Sequence, residues 1–312
     1  MAKVAFVFPG QGSQAVGMGK DLYEQFPEAR AVFDAVDDAL HEKLSTSCFE
    51  GPEDALKLTA NTQPAILTVS AAVHAVFQKR GPAPAFVAGH SLGEYSALVA
   101  AGAMNLQDAA RAVRARGTFM QEAVPVGTGG MAVILGLTPD AVKAACDAAA
   151  EGQVVSPANY NSPEQTVIAG HAAAVERAGA KCKEAGAKRV MSLPVSAPFH
   201  CALMDPVKPR LAEVLVGVRI LAPSVPVVSN VEAKPNADAS RVVPLLLEQV
   251  SSPVRWIECV ESLKANGVTH VVELGPGKVL GGLIKRITKD IESFNVENAA
   301  TLEKVLAALG AA

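Results

Sequence analysis

Five consecutive apolar residues, Val4-Ala5-Phe6-Val7-Phe8, stop abruptly at Pro9-Gly10. A strand made of them has no side to offer to water, so it fits only between two covering layers, as in a parallel sheet with helices on both faces. Short apolar runs at residues 85–88, 225–229 and 270–274 predict further strands. Between them, residues 21–40, 64–77, 92–103 and 106–123 carry helical patterns, with Thr62 as the expected N-cap of the second, and another helix opens at Lys278. Strands alternating with helices define an α/β fold with a mainly parallel sheet.

The pattern changes at Gly127-Thr128-Gly129-Gly130. From there the chain predicts strand 131–135, helix 139–150 with Thr138 as N-cap, strands 154–159 and 166–169, helix 172–185 and strand 189–194. That is the β-α-β-β-α-β order of a ferredoxin-like unit. The expected division is therefore a large domain of residues 1–126 and 198–312 carrying an insert of residues 127–197. The 312 residues are 50% hydrophobic, enough for such a core, and the net charge of −3 shows no basic excess for binding nucleic acid. Five scattered cysteines, never spaced as CxxC, argue against a disulfide framework or a zinc site and fit a reducing cytoplasm. The N-terminal apolar run is too short for a signal-peptide core, and no run is long enough to span a bilayer.

Gly89-His90-Ser91-Leu92-Gly93 is a G-x-S-x-G sequence between a predicted strand and helix, the setting that exposes a nucleophilic serine on a sharp turn. Ser91 with Glu94 also reads as S-x-x-E, a helix capping box that needs no chemistry. A serine needs a proton acceptor to attack at neutral pH. Among six histidines, His200 lies where the insert rejoins the large domain, a crossing that faces the cleft, and it follows Ser91 in chain order. No aspartate announces itself as the third member, and a backbone carbonyl can hold an imidazole N–H equally well. On helix 106–123, Ala109, Ala112, Val113, Phe119 and Met120 fall within roughly 60° of Arg116, whereas Arg111 and Arg114 point away. A guanidinium on an apolar face must be paired. Its partner is a protein carboxylate, the solvent reached by snorkelling, or a substrate carboxylate. Gln11, in a glycine-rich loop after the first strand, offers a backbone N–H for an oxyanion beside that of Leu92. Gln63 reads as ordinary helix-start chemistry.

Taken together, Phe8-Pro9-Gly10-Gln11-Gly12-Ser13-Gln14, Thr62-Gln63-Pro64-Ala65, Gly89-His90-Ser91-Leu92-Gly93-Glu94-Tyr95, Arg116-Gly117, Asn159-Tyr160-Asn161-Ser162-Pro163, Pro198-Phe199-His200 and Glu273-Leu274-Gly275-Pro276-Gly277 resemble bacterial malonyl-CoA:acyl carrier protein transacylases over essentially the whole chain. The resemblance implies a hydrolase-like large domain with a ferredoxin-like insert. It implies that Ser91 is acylated, that His200 is its base, and that the main-chain carbonyl of Gln249 orients His200. By the same resemblance Gln11 and Leu92 are the oxyanion donors, Arg116 holds the malonyl carboxylate, and Gln63 and Gln11 line the substrate. Phe199, where a small residue was expected, also stands before the histidine in malonyl-selective modular relatives. The implied partners are malonyl-CoA and phosphopantetheinylated acyl carrier protein, with no nucleic acid, membrane, metal or cofactor, and a monomer is expected. Lys181, Lys183, Lys188, Arg189, Lys285 and Arg286 are candidates for docking an acidic carrier. A serine esterase or thioesterase, and a carrier-binding module without catalysis, are the competing expectations.

Overall fold

A computed structural model describes residues 3–125, 127–194 and 197–310. In chain order the elements are β1 (Val4–Phe8), α1 (Lys20–Gln25), α2 (Pro27–Leu40), α3 (Leu44–Glu50), α4 (Glu53–Lys57), α5 (Thr59–Phe77), β2 (Phe86–Gly89), α6 (Gly93–Ala100) and α7 (Leu106–Glu122). There follow β3 (Gly129–Leu135), α8 (Pro139–Ala149), β4 (Val155–Ser162), β5 (Gln165–His171), α9 (Ala172–Glu184) and β6 (Arg189–Ser192). The chain closes with α10 (Val207–Val216), β7 (Val227–Val228), β8 (Pro235–Asn236), α11 (Ala239–Gln249), α12 (Trp256–Ala265), β9 (His270–Leu274), α13 (Val279–Ile287), β10 (Glu292–Val296) and α14 (Ala299–Ala308).

The first sheet runs β10-β9-β1-β2-β7-β8 and is parallel except at the β7–β8 edge. All five residues of β1 are buried, and their alternation splits the interior into two cores. Val4, Phe6 and Phe8 face one core with Phe33, Ile66 and Val113, while Ala5 and Val7 face another with Trp256, Leu280 and Ile284. The unbroken apolar run is thus a strand buttressed by helices on both sides.

The second sheet runs β4-β5-β3-β6, wholly antiparallel, which is the ferredoxin-like order. Ala132, Ile134, Val155 and Ile168 pack under α8 and α9, while Met131, Val133 and Val167 on the opposite face join the large core. Thr138 caps α8 as expected, its side chain accepting from Ala141 N–H. Between the sheets, Val254 donates to Ala158 O at 2.8 Å and accepts from Tyr160 N–H at 2.9 Å, fixing β4 against the large unit. Val126, Val195 and Ser196, at the expected domain crossings, lie outside the described residues.

Several expectations are corrected. The helix expected over residues 21–40 is broken at Phe26, which is extended because Pro27 follows it, and Pro27 opens α2. Thr62 is not an N-cap: α5 begins at Thr59, and the Thr62 hydroxyl donates back to Leu56 O and Leu58 O. Pro64 lies inside that helix. The strand expected at residues 225–229 shortens to Val227–Val228, since Pro226 has no N–H for a ladder. β10 and α14 gave no clear signal, because β10 is a half-exposed edge strand of mixed residues.

Helices α5 and α7 cross where Gly117 lies. A Cβ there would stand 2.6 Å from Thr59 O and 2.9 Å from the Ala60 Cα, and neither backbone atom can step aside cheaply. We predict that Gly117→Ala costs about 1–3 kcal/mol through overpacking. Urea unfolding reads this directly; an unchanged midpoint would mean that α7 is free to shift.

Candidate active site

Ser91 stands on the turn between β2 and α6 with φ of 51°, a left-handed conformation that strains a residue bearing a side chain. Four hydrogen bonds hold it there. His90 N–H donates to Phe8 O at 3.0 Å and Gly93 N–H to His90 O at 2.9 Å. The Asn230 side chain spans the turn, accepting from Ser91 N–H and donating to Gly89 O, both at 2.7 Å. A Cβ on Gly93 would lie 2.1 Å from Phe8 O, so only glycine lets the helix start this close to β1. The capping box does not form. The Glu94 carboxylate accepts instead from Asn230 N–H at 2.9 Å and Gln249 Nε2 at 2.8 Å, and no side chain caps α6.

The Ser91 Oγ lies 2.7 Å from His200 Nε2, and His200 Nδ1 lies 2.9 Å from the Gln249 main-chain oxygen. A carbonyl only accepts, so the proton sits on Nδ1 and the lone pair of Nε2 faces the serine hydroxyl. His200 is buried; that burial first, and the Arg116 charge second, lower its pKa to about 3. It is therefore neutral over the physiological range. The other histidines are occupied elsewhere. His90 turns to Asn161 Oδ1 at 2.9 Å, and His74 is buried against Phe6 and Phe8. His171 Nδ1 accepts from Val154 N–H, His270 faces Glu292, and His41 ends α2.

Arg116 is 1% exposed. One terminal nitrogen donates to Gln63 Oε1 at 2.7 Å; the other donates to Gln249 Oε1 at 2.9 Å and to Ser91 Oγ at 3.1 Å. Its Nε has no partner among the described residues, and the guanidinium lies 5.7 Å from the Tyr95 ring centroid. Burial lowers its pKa, opposed by Tyr95 and Glu94, yet a guanidinium keeps its proton. Among the described residues none of its hydrogen bonds goes to a carboxylate. Neither the protein ion pair nor the snorkelling arm weighed from the sequence is what the fold contains.

Ser91, His200, Arg116, Gln11, Gln63 and Leu92 line one cavity of ≈100 Å³, walled on its apolar side by Met120, Met131, Leu193 and Phe199. Gln249 stands behind His200 and Arg116. The N–H groups of Gln11 and Leu92 make no hydrogen bond among the described residues, whereas that of Ser91 is taken by Asn230. A second cavity of ≈220 Å³ shares Gln11, His90, Asn159 and Leu193 and opens between the first loop, the second sheet and α13. A larger depression, ≈890 Å³, lies elsewhere, between residues 13–25 and 297–303, and holds none of these groups. Glu94 and Asn230 were missed as site residues. Glu94 was hidden by its capping-box reading, and Asn230 has no local motif. Among the described residues no cluster of three or more His, Cys, Asp or Glu could hold a metal.

Known proteins share this arrangement of sheets. A model of the acyl transferase domain matches residues 5–305. The malonyl CoA-acyl carrier protein transacylase of Salmonella typhimurium is 51% identical over 307 residues, 98% of this chain and 99% of that protein. That of Bacillus subtilis is 50% identical over 310 residues, covering 99% and 98%. A crystal structure of an acyl carrier protein S-malonyltransferase from Vibrio cholerae superposes with a TM-score of 0.95 at 50% identity, over 97% of this chain and all of that one. A malonyl-transacylase solved in complex with a type II polyketide synthase acyl-carrier protein gives 0.96 at 48% identity, over 98% of this chain and all of that one. Matched along nearly its whole length in sequence and in fold, the chain belongs to the acyl transferase family, among the malonyl CoA-acyl carrier protein transacylases.

Proposed function

We propose that this chain transfers a malonyl group from coenzyme A to the phosphopantetheine thiol of acyl carrier protein through an ester on Ser91, supplying fatty-acid synthesis. The observation that carries this reading is the company of Ser91 Oγ: a neutral imidazole at 2.7 Å and, at 3.1 Å, a buried guanidinium whose hydrogen bonds among the described residues all go to neutral groups. A simple ester hydrolase has no use for that cation, whereas a substrate with an acid at one end and a thioester at the other uses both.

In the first half of the cycle Nε2 of His200 takes the Ser91 proton as Oγ bonds to the thioester carbonyl carbon. Negative charge develops on the carbonyl oxygen, which the N–H groups of Gln11 and Leu92 receive. The carbon–sulfur bond then breaks, and coenzyme A leaves with the proton from His200. In the second half the carrier thiol gives its proton to His200 as its sulfur attacks the ester carbonyl; the carbon–oxygen bond then breaks, and His200 returns the proton to Ser91 Oγ. Arg116 holds the malonyl carboxylate throughout, with Gln63 and Gln11 beside it, which fixes the reacting carbonyl over Oγ. The long thioester arm occupies the second cavity. At its outer rim Arg286 is exposed and bonded to Gln165 Oε1, with Lys285 beside it, so an acidic carrier meets positive charge where its arm enters. Lys188, also exposed, is paired with Glu164. The five cysteines are free and buried, as suits a cytoplasmic protein, and among the described residues no helix is long and apolar enough to cross a membrane.

Intact mass spectrometry after mixing with malonyl-CoA tests the central step: the chain gains one malonyl adduct and Ser91→Ala gains none. An unmodified wild-type chain, or a labelled Ser91→Ala, would remove the proposal. Arg116→Ala is expected to lower malonyl transfer about a hundredfold while acetyl transfer persists or rises. If the malonyl preference survives, the clamp lies elsewhere. The lowered pKa of His200 keeps its base form to well below its ordinary titration, so the acid limb of kcat/KM moves down. An unshifted imidazole would lose about tenfold of its base form between about pH 7.5 and about pH 5.5. Here kcat/KM per active site should change by less than about twofold over that range; a tenfold fall would contradict the buried, neutral base.

A further inference from the structure

Glu94 is 3% exposed and lies one helical turn beyond the nucleophile, yet none of its hydrogen bonds goes to a reacting atom. A single oxygen, Oε2, accepts both Asn230 N–H and the Gln249 side-chain amide. Those two residues reach the nucleophile turn, the base and the clamp. The Asn230 side chain grips the backbone of the strained turn at Ser91 N–H and Gly89 O. Gln249 orients His200 with its main-chain carbonyl, and its side chain meets Ser91 O at 3.0 Å and Arg116 at 2.9 Å.

The direction of these bonds matters. An amide has one donor end and one acceptor end. Because Oε2 of Glu94 accepts, Gln249 presents its NH2 to it, which leaves Oε1 for the guanidinium. Turning the amide over would set NH2 against guanidinium N–H, two buried donors with no acceptor between them. Two acceptors on the NH2 end, Oε2 of Glu94 at 2.8 Å and the Ser91 main-chain oxygen at 3.0 Å, thus set which end of Gln249 meets Arg116, and Glu94 is the one that a side chain supplies.

We propose that Glu94 is a positioning residue that works along two arms, through Asn230 on the nucleophile turn and through Gln249 on the carboxylate clamp. The inference rests on the roles given above to Ser91, His200 and Arg116. It also separates from the simpler idea that Glu94 is only a counter-charge for Arg116, because geometry and charge respond to different substitutions. Glu94→Gln removes the charge but, like the protonated acid, keeps an acceptor oxygen in place. Glu94→Asp keeps the charge but withdraws the oxygen by about 1.5 Å, one carbon–carbon bond.

The experiment measures acylation by malonyl-CoA and by acetyl-CoA per active site, with sites counted from the covalent adduct. Glu94→Gln should stay within about threefold of wild type, and Glu94→Asp should lose about tenfold or more with malonyl-CoA, since small misplacements are costly. Its malonyl-to-acetyl ratio should fall as well. The two arms are read separately in variants that leave Glu94 in place. Gln249→Ala, which retains the main-chain carbonyl, should lower the malonyl-to-acetyl ratio, and Glu94→Asp added to it should lower that ratio no further. Asn230→Ala should slow both substrates alike and leave the ratio unchanged. Loss of activity in Glu94→Gln with retention in Glu94→Asp would overturn the inference in favour of bare charge. An unchanged ratio in Gln249→Ala, or losses that multiply in the double variant, would overturn it as well. A wild-type chain that forms no adduct would fail the acyl-enzyme reading itself, a different result from any of these.

Discussion

A guanidinium buried beside a serine without a carboxylate partner is the constraint from which the site follows. Removing such a charge from water is costly unless its hydrogen-bonding capacity is met. Here two amide oxygens and a hydroxyl meet the two terminal nitrogens without cancelling the charge, and Nε is left without a partner among the described residues. The positive field that remains is what a substrate carboxylate would meet in the proposed mechanism. The same field helps to keep His200 neutral, second only to burial. The proposed clamp and base are thus electrostatically linked, since the cation proposed to attract the acid end of a substrate also lowers the pKa of the adjacent imidazole. Glu94 balances Arg116 at one amide's remove, close enough to act on its pKa but without occupying the guanidinium itself.

The scaffold supplies the precision this needs. β1 lies between β2 and β9, and its two faces are locked into different cores, so it has little freedom to slide. The loop after it carries Gln11, and the turn after β2 carries Ser91. α7 brings Arg116 across from the helical layer, held close to α5 by the absence of a side chain at Gly117. The second sheet then covers the cleft with Met131 and Asn159. Groups from five distant stretches of chain converge because the elements that hold them pack rigidly.

What could be read before folding depended on whether a residue's role is local. The strand at Val4–Phe8, the ferredoxin-like order, the serine on its turn and the inward face of Arg116 are all written in short-range patterns. The breaks were not, where one proline outweighed a good helical pattern at Phe26-Pro27. His200 was one of six, separated from the others by its place at an expected domain crossing and after Ser91 in chain order. Gln249 entered through family resemblance alone, because what it gives His200 is a backbone carbonyl and every residue has one. Asn230 follows a two-residue strand with nothing around it to mark it out. The Ser91–Glu94 spacing fitted a helix cap, and only the fold reveals that the carboxylate turns away from the helix end to Asn230 and Gln249.

A site that makes an activated serine ester must still explain why water does not consume it. In the proposed reaction the donor and the product are both thioesters of the same pantetheine thiol chemistry, so little free energy separates the two ends of the reaction and a leak to water would dominate. His200 is buried, and the acyl cavity is small, with Met120, Met131, Leu193 and Phe199 for much of its wall. In the mechanism proposed above, a malonyl group with its carboxylate on Arg116 would fill the space a water needs to reach the ester carbonyl beside Nε2. On the same proposal an incoming thiol would arrive on a long arm through the second cavity and displace water along its length. Transfer rather than hydrolysis is then a consequence of shape: the base is available only to a nucleophile that brings its own apolar stem into the cleft.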